Sequence, residues 1–125
     1  MPALTVARAD GSTATLPVDV TLISETVSTV LESREGTPDR TVCVLWHRWL
    51  AGHLRLLCPI AVEQAPHWGD SKRTSLMEAT VGAVTRALED GLPAGRHAAY
   101  VHVQELAREC RGLLGLVLDR PGGGQ

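Results

Sequence analysis

Five histidines and three cysteines are the residues of this 125-residue chain that chemistry would use first. A helix turns by about 100° per residue, so His47 and His53 would stand about 240° apart, and His97 and His102 about 140° apart. Two imidazoles that grip one metal from one helix need the i, i+4 spacing instead, so the expectation is no metal. Cys43, Cys58 and Cys110 are odd in number and form no C-x-x-C pair, which points to reduced thiols in a cytoplasmic protein. No G-x-G-x-x-G, P-loop, G-x-S-x-G, H-E-x-x-H or EF-hand loop occurs. Nucleotide, hydrolase, zinc and calcium chemistry thereby lose their usual sequence support, and no cofactor is expected.

His53 is the histidine that stands out, because of the run that carries it, VCVLWHRWLAGHLRLLCPI from Val42 to Ile60. Val42, Leu45, Trp46, Trp49, His53, Leu56, Leu57 and Ile60 fall within a sector of roughly 120°, the width of a core-facing helical stripe. His53 sits near its middle, where burial without a partner would cost a few kcal/mol. One reading is a core histidine satisfied by a backbone carbonyl, Thr80 or Tyr100. The other is a ligand-binding set of Trp46, Trp49, His53 and Tyr100, with His53 as candidate catalytic base in a cavity opened by a bend at Pro59. Pro59 has no N–H for the carbonyl of Arg55, and Gly52 beside His53 permits close approach of a backbone or a ligand.

The elements that would position these residues follow from periodicity. From Asp19 onward, Val20, Ile23, Val27, Val30 and Leu31 share a helical face, although their β-branched content keeps a strand as the minority reading. Thr37-Pro38 supplies an N-cap and first-turn proline for the second helix, which should run to about Gln64. Trp68, in the stop Pro66-His67-Trp68-Gly69, reads as a lid on one end of the core. Asp70 or Ser71 caps a third helix with Met77, Thr80, Val81, Val84 and Leu88 as its stripe and Leu76, Ala83 and Ala87 beside it, ending at Gly91. The fourth spans about Ala94 to Leu118, with Val103, Leu106, Ala107, Cys110, Leu113, Leu114 and Val117 inward. His102, Glu105, Arg108 and Glu109 lie on its other side.

Short connections imply antiparallel neighbours. The expected fold is all-α: an antiparallel up-down-up-down four-helix bundle over residues 18–119 with a proline bend in the second helix. Residues 1–17 form an N-terminal tail or a short hairpin about Asp10-Gly11, and residues 120–125 a disordered tail. The length suits one domain. A net charge of −2 with interspersed signs offers no basic stripe for nucleic acid. No apolar run is long enough for a membrane span, and the first residues do not read as a leader.

Gly52-His53-Leu54-Arg55-Leu56-Leu57 with Pro59, the Leu16-Pro17 to Val30-Leu31 segment, and Gly91-Leu92-Pro93 through Leu106-Ala107-Arg108 to Arg111-x-Leu113 resemble a small actinobacterial family of natural-product biosynthesis proteins. The likeness spans most of residues 16 to 117, and departs at Ile60, where an acidic residue is expected. It implies a setting in secondary metabolism and no mechanism.

Val44, Leu50 and Leu54 lie off the main stripe, so the second helix has more apolar surface than three neighbours cover. The function expected is a non-catalytic accessory protein that docks on a biosynthetic enzyme or on itself as a homodimer through that helix. The alternative is a small-molecule-binding protein or cofactor-independent enzyme that holds a pathway intermediate at His53.

Overall fold

The computed structural model describes residues 18–118 in full and residues 5–7 and 13–15 by their backbone. Those two segments, β1 (Thr5–Ala7) and β2 (Thr13–Thr15), pair antiparallel with Val6 opposite Ala14. The remainder of the expected tail or hairpin over 1–17, and the expected tail over 120–125, lie outside the described residues. The other regular elements among the described residues are helices: α1 (Val20–Leu31), α2 (Arg40–Gln64), α3 (Ser71–Asp90) and α4 (Arg96–Leu118). A single 3-10 turn, Ala65–His67, follows α2.

Local chemistry sets the helix starts. Asp19 accepts from the Leu22 amide at 2.9 Å, and Asp70 accepts from the amides of Lys72 and Arg73 at 3.0 and 3.2 Å. Each carboxylate satisfies donors that the first turn leaves over. In α1 the β-branched residues cost a few tenths of a kcal/mol each in helix propensity. Burying Ile23, Val27 and Val30 returns about 1.5–3 kcal/mol apiece, so packing decides for helix. Gly91 ends α3 at φ 77°, a left-handed conformation glycine adopts freely, and its N–H reaches the Ala87 carbonyl at 3.1 Å.

The start of α2 corrects the expectation from Thr37-Pro38. The helix begins at Arg40 after Asp39, whose side chain makes no capping bond. What holds this end is the neighbouring helix. Arg40 donates from Nε to the Ala94 carbonyl at 3.1 Å and from Nη2 to that of Pro93 at 3.3 Å. Arg96, the first residue of α4, donates from Nη2 to the Thr37 carbonyl at 2.6 Å. The N-terminal ends of α2 and α4 therefore lie side by side. At the far end of α4, Arg73 from the start of α3 donates to the Leu116 carbonyl at 2.6 Å and lies 4.3 Å from the Trp68 ring, which is buried.

The largest helix contact is between α2 and α4; α1 and α3 each pack on both of these and not on each other. Small buried residues make this possible: Cys43, Ala51 and Ala61 on α2, and Ala99, Ala107 and Cys110 on α4. Two helices approach each other only as closely as their contact side chains allow. All seven stripe residues expected on α4 are buried.

On α2 the expected stripe is inward only in part: Trp46 and Leu57 are buried, and Leu50 and Leu54, expected off the stripe, are fully buried. The buried face is Cys43, Trp46, Leu50, Ala51, Leu54, Leu57 and Ala61, whereas Val42, Leu45, Trp49 and Leu56 are exposed. The helix is turned by roughly one residue step, about 100°, from the orientation its largest apolar residues suggest. On α3 only Met77 and Val84 are fully buried and Leu76 is exposed, so the expected stripe there is thinner than its sequence implies. The helix α2 continues through Pro59, which is exposed, so the Arg55 carbonyl that it cannot serve is on the solvent side.

Candidate functional site

The turn of α2 places His53 at the edge of the core, half-buried and facing α1. Its Nε2 lies 3.1 Å from Oγ1 of the buried Thr26, and that hydroxyl also donates to the Leu22 carbonyl at 2.9 Å. A hydroxyl has one proton to give, so Nε2 of His53 must be the donor to Thr26 and Nδ1 the open acceptor. Burial lowers the pKa of His53 against the opposing pull of Asp19, which favours the neutral ring. The partner is thus Thr26, and neither of the expected candidates, Thr80 or Tyr100. Thr80 instead donates to the Leu76 carbonyl on its own helix.

The expected walls separate. Trp46 is buried, 5% exposed, with the Arg34 guanidinium 4.8 Å from its ring centre. Trp49 is 44% exposed and faces away from the core. Tyr100, on α4, is half-buried against the core, and among the described residues no hydrogen bond joins it to His53. A Trp46–Trp49 box around His53 is therefore not what the fold builds, because the two indoles are three residues apart on a helix whose inward face passes through only one of them.

What the rotation builds is an outward apolar stripe. Val42, Leu45, Trp49 and Leu56 are exposed, and with Gly52 between the last two they follow one another at steps of three, four, three and four residues. That is the alternation by which helices present a seam to another helix. Trp49 and Leu56, 44% and 47% exposed, are its centre. Large side chains lined up in this way differ from the scattered exposed apolar residues any surface carries.

The described helices and the family comparison coincide. The chain belongs to DUF6415, a family of unknown function. The match covers residues 21–122, which takes in nearly all of α1 and the whole of α2, α3 and α4 and leaves out both strands. No curated protein and no solved structure matches the chain. Membership in DUF6415 brings no activity with it.

A second polar pair escapes sequence reasoning. His102, expected on the polar side of α4, is half-buried and stacks on His47 of α2 with ring centroids 5.4 Å apart. Spacing within one helix carries no signal for a pair formed across two. His102 also lines a groove of about 270 Å³ between α3 and α4, together with Ala83, Ala87, Glu105 and Glu109. Among the described residues no group of three or more metal-ligating side chains comes together, and no helix is long and apolar enough to cross a membrane. Cys43 and Cys110 are buried free thiols, and burial pushes Cys110 up to about 12, so it is inert as a nucleophile.

Proposed function

We propose that this member of DUF6415 is a non-catalytic interaction protein that docks through the outward face of α2. The observation that carries the reading is the seam-spaced stripe of Val42, Leu45, Trp49 and Leu56, which lies in water on the isolated chain. A second copy is the occupant the spacing favours first, since identical stripes of this period are complementary to each other. A biosynthetic enzyme of a natural-product pathway is the partner to try next. The bundle order up-down-up-down belongs to the same reading and is supported by the reciprocal bonds of Arg40 and Arg96 at one end and of Arg73 to Leu116 at the other; a bend at Pro59 belongs to it through the N–H that proline lacks.

Light scattering across a concentration series tests self-docking directly. The expected result is a dimer whose dissociation is promoted by Trp49→Glu while the circular dichroism stays unchanged. A wild-type chain that stays monomeric at the highest attainable concentration, and whose Trp49 emission is unmoved by the candidate pathway enzymes, would overturn the reading.

A second reading, a small-molecule-binding protein or cofactor-independent enzyme, is favoured by one observation: the Thr26 bond leaves Nδ1 of His53 as an acceptor on a ring whose neutral form burial favours. A pathway intermediate should then quench tryptophan emission in the wild type and not in His53→Ala.

A further inference from the structure

Within the contact between α2 and α4 two imidazoles face each other with their hydrogen-bonding needs unmet. His47 and His102 stack at 5.4 Å with their planes 30° apart, and Nε2 of each is buried without a hydrogen-bond partner. Two neutral rings tolerate this at the cost of lost hydrogen bonds; two cations at that distance do not. The charges around the pair are unequal. His102 lies near Glu105 on its own helix and Asp90 at the end of α3, whereas His47 lies near Arg55 on α2. Arg108 and Glu109 line the groove on the α3 side of His102.

We propose that the His47–His102 stack is an acid-operated latch, which accepts a first proton on His102 and releases the N-terminal half of the α2–α4 contact when a second arrives on His47. The carboxylates of Glu105 and Asp90 favour the first cation. The second must form against both that cation and Arg55, on a ring whose Nε2 has no hydrogen-bond partner among the described residues. Burial depresses both rings below the ordinary imidazole range, and His102 further depresses His47. The pair therefore titrates in two coupled steps, and the second drives the helices apart. Cys43 reports the opening, because it is one turn before His47 on α2 and is fully buried. Cys110, equally buried but in the C-terminal half of α4, reports global unfolding.

The test labels the thiols of the full chain with dithiodipyridine between pH 7.5 and 5.0, locates the label by peptide mass spectrometry, and normalises each rate to that of glutathione at the same pH. The expected result is a rise of about tenfold or more per pH unit at Cys43, the sensitivity of a step that takes up one proton, with Cys110 unchanged. His47→Gln and His102→Gln should each abolish the rise, and His97→Gln should retain it. Equal rises at Cys43 and Cys110, or a rise that persists in both stack variants, would overturn the proposal. Should the stack variants fail to fold, NMR titration of the wild-type imidazoles decides: two coupled steps support the latch, and two independent transitions near 6.5 sink it.

Discussion

The helices α2 and α4 pack on each other along most of their lengths, yet one was legible in the sequence and the other was not. On α4 the apolar residues form a single stripe, and polar residues such as Glu105 and Arg108 occupy the rest, so only one orientation buries it. On α2 apolar residues occur almost all round, and two orientations about 100° apart each bury a respectable set. Trp49, Leu45 and Leu56 mark one of them; Leu50 and Leu54, together with the small residues Cys43, Ala51 and Ala61, mark the other. The second orientation wins because close approach to Ala99 and Ala107 of α4 gains contacts over the whole length of the helix. Where apolar residues are in excess, the small ones locate the tightest interface, and some of the large ones are left outside it.

That contrast is sharpened first by truncating the two faces. Leu54→Ala, at a fully buried position, should cost about 2–5 kcal/mol in urea unfolding. Leu45→Ala, on the same helix and 41% exposed, should stay within about 0.5 kcal/mol for the monomer. A larger loss at Leu45 than at Leu54 would put the inward face back on the stripe of Leu45 and Trp49.

The edge between the two faces is probed by Thr26→Val, which keeps shape and removes the acceptor for His53. A destabilisation of about 1 kcal/mol is expected, the low end of the cost of an unmet donor, since His53 is half-buried. His53→Ala in the same background should recover part of it, since no donor then remains to be satisfied.

Smaller, and graded, is the effect of pH. Burial lowers the folded-state pKa of His47, His53 and His102. The unfolded chain then binds more protons than the folded one below about 6.5, so stability is greatest above that pH and declines as pH falls toward the folded-state values. Glu109, which burial raises, acts in the opposite direction around the carboxylate range. Urea midpoints between pH 7.5 and 5.0 should fall monotonically, and a flat profile would contradict the burial of these rings.

Helix count, helix ends at Gly91 and Asp70, and the stripe of α4 were all readable, because each rests on residues close together in sequence. Both histidine arrangements were not. Thr26 and His53 are 27 positions apart, and His47 meets His102 across two helices, so neither spacing advertises the contact. The start of α2 failed for a related reason, since Thr37-Pro38 has the right local chemistry and is outweighed by Arg96 reaching its carbonyls from α4.

Those paired guanidinium bonds have a bearing on assembly. A cation at the first residue of a helix opposes the backbone dipole, so Arg40 and Arg96 make poor openings for isolated peptides. Each is excused only by the loop ahead of the other helix, with more than fifty residues of chain between. A fragment that stops at Gly91 would therefore lose more than its last helix: the opening turn of α2 would unravel with it, and native structure at that end should emerge only once the distant halves of the polypeptide have met.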